Sequence, residues 1–512
     1  MSVAVDKVTG MARIAVIGAG MGAMAAAARL AVAGHRVAVY ERTETYGGAV
    51  RRFERDGFAF DTGPGLLTLP AVYRDLFVKT GKEPLEDRVE LVQVDPAARH
   101  VFADGTDVSL PNASRAGVVA ALDEALGGGA GERWGDFLVR ARETWDRTRR
   151  PLLEEPLWPN WQVLDGKEPY PGVPYKRFLR TRRALKLHEI GDRELRDPRL
   201  AALLADCALA YGVDPGTAPA SAAVLPYMEH AFGTWYVRGG VRELARAVYE
   251  RCLERRVEFA FGAEVTRVLE AGGRAAGVEL ADGTAAEADF VVGTGPWRLG
   301  GMLPGRDLYG AGDVPAERED RYPGRVVVCL ALRGAREPGA VHRTVVHAAD
   351  GEGDLDLFRH GVPPELPTVL VDRPDDPALR PGPDHESVVL TATVPAATEY
   401  DWAAPGAAAA FADRMAAAAE RAVPGLRERV LWREIRTPLD TERETGAKGG
   451  AVPPPALAAP EGVLHPANAT AMPGLFAAGG WSHPGGGLPH AGMSGALVAG
   501  LIVEGPEFRG SR

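Results

Sequence analysis

Cysteine is scarce: 512 residues hold only Cys207, Cys252 and Cys329. They lie too far apart for a disulfide framework or a thiolate metal site, and read as core thiols of a chain in a reducing compartment, the cytoplasm. No basic and then apolar leader precedes the first strand, so secretion is not expected and residues 1–9 read as a loose tail. Positive charge is not in surplus. Fifty-nine Lys and Arg face 69 Asp and Glu, a net charge of −10, which argues against nucleic acid as a partner. From 469 to 503 there is no Asp, Glu, Lys or Arg, yet Pro473, Pro484, Pro489 and many glycines interrupt the run. A helix over 490–503 would reach about 21 Å against the roughly 30 Å of a bilayer core, so no transmembrane span is expected. A Ser-His-Asp arrangement, an HExxH zinc motif and a P-loop are also missing, which leaves the hard chemistry to a bound cofactor.

What is present starts with RIAVIGAGMGAMAAAARLAVAGHRVAVYE, residues 13–41, which predicts strand, glycine turn, helix, strand and a closing acid. Gly18 permits the tight turn and Gly20 lets a pyrophosphate approach bare backbone. Met21 and Gly22 open the helix, and Ala23 keeps helix and strand close at the sixth place of G-x-G-x-x-G/A. The free N–H groups and positive dipole at the helix start favour anions. Glu41, with Arg42 beside it, stands where an acid accepts from a ribose 2′-OH and disfavours a 2′-phosphate.

Beyond Glu41 come Thr43-Glu44-Thr45-Tyr46-Gly47-Gly48 and Phe60-Asp61-Thr62-Gly63-Pro64, and the far end carries PGLFAAGG, 473–480, then WSHPGGGLPHAGMSG, 481–495. Together these resemble the phytoene desaturases and related carotenoid oxidoreductases, within the flavin amine oxidase/desaturase superfamily. The resemblance implies an α/β fold, a Rossmann-like FAD-binding domain of GR2 type with an interleaved α+β substrate domain. It implies FAD, with Gly47, Gly48, Ala49 and Val50 beside the pyrophosphate and ribityl chain and Gly63 and Pro64 further along. Gly479, Gly480, Gly487, Leu488 and Pro489 would bring backbone to the isoalloxazine ring. Ala49 replaces the family's basic residue after Gly-Gly, leaving Arg51 or Arg52 for that role; Arg52 is a catalytic candidate. His490 stands where the family more often has glycine, and two readings stay open: a catalytic group facing the ring, or a helix cap.

Trp235-Tyr236-Val237-Arg238-Gly239-Gly240 resembles the family's W-Y-x-x-G-G turn. Strands are expected at 259–261, 265–269, 277–280 and 289–292, with turns at Gly272-Gly273 and Asp282-Gly283. The family would set the backbone of Glu264 and Val265 against the adenine, and the chain would leave the cofactor domain near Gly295. The expected division is 1–65, 234–298 and 434–512 for the FAD-binding domain, and 66–233 with 299–433 for the substrate domain and its helical lid.

In the substrate segments Trp134, Trp145, Trp158, Trp161, Tyr170, Tyr175 and Phe178 crowd one region, and 201–209 and 224–232 predict apolar helices. They either line a tunnel for an extended hydrophobic substrate or form ordinary core. The basic block 176–186 predicts a solvated helix face, or a membrane-surface helix making peripheral contact. Neither the aromatic cage nor the acidic pocket of an amine oxidase can be identified. The leading expectation from the resemblance is hydride exchange between FAD and a long polyene or isoprenoid. The alternative is an FAD- and NADPH-dependent reductive cyclase tailoring a polyene natural product such as a polycyclic tetramate macrolactam. A flavin amine oxidase or a non-redox isomerase comes third. The oligomeric state is left open.

Overall fold

The computed structural model describes residues 10–157, 164, 166–175, 180–309, 322–348, 352–459 and 462–510. Residues 1–9, Trp158, Trp161, Phe178 and the first part of the basic block, 176–179, lie outside the described residues.

The β-branched runs RIAVI and RVAVYE pair in parallel as Arg13–Ile17 and Arg36–Glu41. Glu258–Phe261, Phe290–Gly293 and Leu475–Ala477 complete an all-parallel sheet of five strands, with Arg13–Ile17 at its centre. Such sheets need both faces covered. The Ala-rich helix Met21–Val32 does part of this, and its small side chains let the closing helix Leu488–Glu504 lie almost directly on it. A Cβ on Gly22 would fall 2.8 Å from the Ala491 carbonyl oxygen, and one on Gly495 would fall 2.7 Å from the Ala26 nitrogen. The two ends of the chain therefore meet on one sheet. The strands expected after residue 264 form an antiparallel meander, Val265–Ala271, Arg274–Leu280 and Ala285–Glu287.

A second sheet has seven strands, in the order Val430–Arg436, Gly324–Arg333, His385–Val394, Val369–Asp372, Arg343–Val346, Ala98–Val101 and Asp107–Leu110. Above it the helices Arg115–Leu126, Ala130–Arg149, Pro198–Ala210 and Val224–Phe232 share an apolar cluster that buries Trp134, Trp145 and Tyr170. The described part of the basic block is not helical: Arg180–Arg182 is an exposed strand paired antiparallel with Val173–Tyr175. Alternation of Arg, Thr and Arg suits a two-stranded ribbon better than a helix face. Among the described residues no helix is long and apolar enough to cross a membrane.

Candidate active site

A cavity of about 550 Å³ runs from the carboxyl ends of the parallel strands to the floor of the seven-stranded sheet. Its first part is built of turns. Gly18, at φ +87°, donates its N–H to the Tyr40 carbonyl at 2.8 Å, and the next amide, Ala19, donates to Glu41 Oε2 at 2.8 Å. Glu41 Oε1 accepts from the Thr43 amide and hydroxyl, both at 2.8 Å. An ionised carboxylate accepts about four hydrogen bonds, so this buried acid keeps capacity for one more donor. Gly47 donates to the Ala19 carbonyl at 2.7 Å, and a Cβ on Gly48 would sit 3.0 Å from Gly20 Cα. The two glycine turns thus stand back to back. At Gly20 itself an added Cβ meets nothing within 4 Å.

Most of the residues expected to hold FAD face this cavity. Gly18, Gly20, Met21, Gly22, Ala23, Glu41 and Arg42 line one end, followed by Gly47, Gly48, Ala49, Val50, Gly63 and Pro64. Val265 and Gly295 join them, as do Gly479, Gly480, Gly487, Leu488 and Pro489 from the far end of the chain. Glu264 is placed off the wall, in a loose ion pair with Arg298 at 3.7 Å. The two residues singled out for chemistry also lie off it. Arg52 turns to Glu54 at 2.7 Å and to the Gly239 carbonyl at 3.3 Å. Arg51 donates to the Gly48 carbonyl at 2.8 Å and the Thr43 hydroxyl at 3.1 Å, bracing the second turn from behind. His490 is buried as the third residue of the closing helix, where desolvation holds its imidazole down to about 3 and therefore neutral.

The bare-backbone cradle, the acid with spare acceptor capacity and two helix amino ends opening on one cavity fit an FAD molecule. The wall beside it also carries Trp297 and Trp481, packed edge to face at 4.8 Å between centroids. Sequence reasoning had identified no aromatic pair there.

It also missed the polar groups deeper in the cavity. Asp206 and Cys207 come from the helix Pro198–Ala210, Glu229 and His230 from Val224–Phe232, and Arg325, Arg343 and Asp372 from the sheet floor. No acidic pocket could be identified from the sequence, yet three carboxylates face this space, and Cys207, expected in the core, lines the wall. Arg343 holds Asp372 in a two-pronged ion pair at 2.8 and 2.9 Å. Desolvation, reinforced by Glu229, pushes Asp206 up to about 7, and burial raises Glu229 as well. The signal was present in PRLAALLADCALA: a single acid on an otherwise apolar helix face.

The raised Asp206 has a testable pH signature. Its ordinary value is 3.8, so between about pH 4 and 7 the folded chain keeps a proton that the unfolded chain has released, and stability falls as pH rises. Asp206→Asn removes this cost. The stability difference between variant and parent should be near zero at pH 4 and grow towards pH 7, by at most about 1.4 kcal/mol per unit. Urea melts across this range check it. Burial holds His342, His347, His465 and His483 down to about 4, which penalises acid instead; subtracting the two curves cancels that contribution.

A parallel sheet with a glycine turn at a helix amino end, an acid closing its second strand and a second glycine turn from the far end define a nucleotide-binding flavoprotein oxidoreductase. The family model of flavin-containing amine oxidoreductases matches residues 24–299. The chain is 30% identical over 497 residues to a zeta-carotene-forming phytoene desaturase of Myxococcus xanthus, covering 95% of this chain and 93% of that protein. It is 31% identical over 512 residues to a hydroxyneurosporene desaturase of Cereibacter sphaeroides, covering 96% and 97%. In fold it is similar to an oxidoreductase from Methanosarcina mazei, with a TM-score of 0.62 at 16% identity over 95% of this chain and 99% of the other. The chain belongs to the flavin-containing amine oxidoreductase family, as a phytoene-desaturase-like member, and is an FAD-dependent oxidoreductase.

Proposed function

We propose that this enzyme desaturates a long hydrophobic polyene or isoprenoid chain. The observation that carries the reading is the continuity of one cavity from the glycine turns to a wall of apolar side chains, among them Val118, Trp134, Leu203, Val327 and Leu370. Two similar relatives that desaturate carotenoid chains support the substrate class.

In this reading FAD, when bound, supplies the hydride acceptor. The chain's own residues position and exclude. The amino ends of Met21–Val32 and Leu488–Glu504 offer free N–H groups to anionic charge at the two ends of the cofactor. Glu41 accepts from a ribose hydroxyl. The apolar wall fixes the substrate by shape and keeps water out, which is how a hydrocarbon with few polar handles is oriented.

A second reading reverses electron flow, with NADPH as donor and reductive cyclisation of a polyene as the reaction; the polar groups in the cavity favour it. One experiment separates the two. The FAD-reconstituted protein is mixed anaerobically either with a partly saturated isoprenoid polyene or with NADPH, and the flavin band is followed. Bleaching by the polyene alone, with a new conjugated double bond in the product, is the expected result. Bleaching by NADPH and not by the polyene would overturn desaturation in favour of reduction.

A further inference from the structure

Strand periodicity arranges the cavity floor into rows. Val345, Leu370, Thr391 and Val327 stand opposite one another across four neighbouring strands and make a mostly apolar track. One pair along, on either side, the same face turns polar: Arg325 stands opposite Thr393, and Arg343 opposite Asp372. The helices above answer with Asp206, one turn from Leu203 and Ala210, and with Glu229, three residues from Pro226. Tyr211 closes the ring of polar groups beside Glu229. This polar chamber lies next to the proposed cofactor turn, because a Cβ on Gly65 would be 2.9 Å from Asp372 Oδ2.

Arg325 is the unusual member. Its guanidinium donates to the Ala210 carbonyl. Among the described residues no carboxylate pairs with it, and the neighbouring Arg343 guanidinium opposes its charge. Half-buried and facing a largely apolar cavity, a cation without a carboxylate is costly unless another acceptor satisfies it. Its five N–H donors cannot all be met by one backbone carbonyl. Asp206 has no hydrogen-bond partner among the described residues and faces the same space. A wall built for a bare hydrocarbon gains nothing from such groups, because burying them opposite methyl groups costs free energy. Opposite an oxygen they become charge-assisted hydrogen bonds, with Arg325 as donor.

We infer that this chamber binds an oxygen-bearing end, carbonyl or hydroxyl, of the polyene substrate, with Arg325 as the specificity-determining donor and Asp206, Glu229 and Tyr211 as its partners. The inference rests on the polyene reading above and narrows it to terminally oxygenated chains. The oxygen fixes how far the chain slides along the apolar track, and so which carbons lie beside the cofactor turns.

The test uses the FAD-loaded enzyme and two probes of equal length and conjugation, a polyene aldehyde and its methyl-terminated hydrocarbon. Equilibrium binding is followed through the polyene's own absorption. The aldehyde should bind roughly tenfold tighter or more. Arg325→Met should bring that ratio to within about twofold of one, while Arg325→Lys, which keeps a donor and the charge, should retain part of it; flavin content reports that each variant is folded. Equal binding of the two probes to the parent enzyme overturns the inference and leaves the polyene reading standing. A preference that survives in Arg325→Met overturns the role given to Arg325. Binding of neither probe overturns both readings together.

Discussion

Gly20→Val should give a folded, colourless protein, and Gly22→Val a strongly destabilised one. The two glycines are neighbours in one motif, yet their surroundings differ. Gly20 has φ −72° and ψ 166°, extended backbone open to any residue, and an added Cβ meets no atom within 4 Å. Valine there strains nothing in the protein; it fills the space through which a pyrophosphate would approach the backbone. Flavin affinity should fall by ~100-fold or more, about 3 kcal/mol, with the thermal midpoint of the apoprotein unchanged. At Gly22 the added Cβ would lie 2.8 Å from the Ala491 carbonyl oxygen and 3.0 Å from Gly479 Cα, and both are backbone atoms that cannot rotate away. The opening and closing helices must then separate, at about 3 kcal/mol or more. Visible absorbance per mole of protein and thermal melts of the apo forms read the two effects separately. Stoichiometric flavin in Gly20→Val would place the pyrophosphate away from this turn.

Glu386→Ala should cost about 3–5 kcal/mol of stability. Glu386 is fully buried and accepts from Arg373 at 2.7 and 3.2 Å and from Arg429 at 2.8 Å. Removing the carboxylate leaves two guanidinium groups facing each other, one of them buried, so the loss exceeds what the pairs contribute while intact. Glu386→Gln keeps the shape and one acceptor and should lose less. Denaturant melts check the order, and a loss below about 1 kcal/mol in Glu386→Ala would show that water reaches and screens the arginines.

The parts of this molecule that could be read from the sequence share one property: their chemistry is local. Gly18 to Glu41 form a continuous unit whose turn, helix and acid would all serve one ligand in the proposed reading, and the glycine-rich stretch at 479–487 is equally compact. The polar chamber has no such continuity. Arg325, Arg343 and Asp372 each sit in a strand that alternates with valine or leucine, like any strand with one wetter face, and only the register sets Arg343 opposite Asp372. Asp206 and Glu229 are single acids on apolar helices, and which face they share with the sheet is a tertiary fact. Arg180–Arg182 was misread for a related reason, since a short run of basic and apolar residues fits either period until its partner strand is known.

The contact between the opening and closing helices also fixes when a cofactor can be captured. Gly22 is translated hundreds of residues before Gly479, Gly487 and Ala491, and until those emerge from the ribosome the first glycine turn has no opposing wall. A nascent chain therefore presents half a cradle. If these turns hold the flavin as proposed, loading waits for the finished polypeptide, and a message that stops short of Leu488 should encode a chain that exposes its alanine-rich helix and stays without colour.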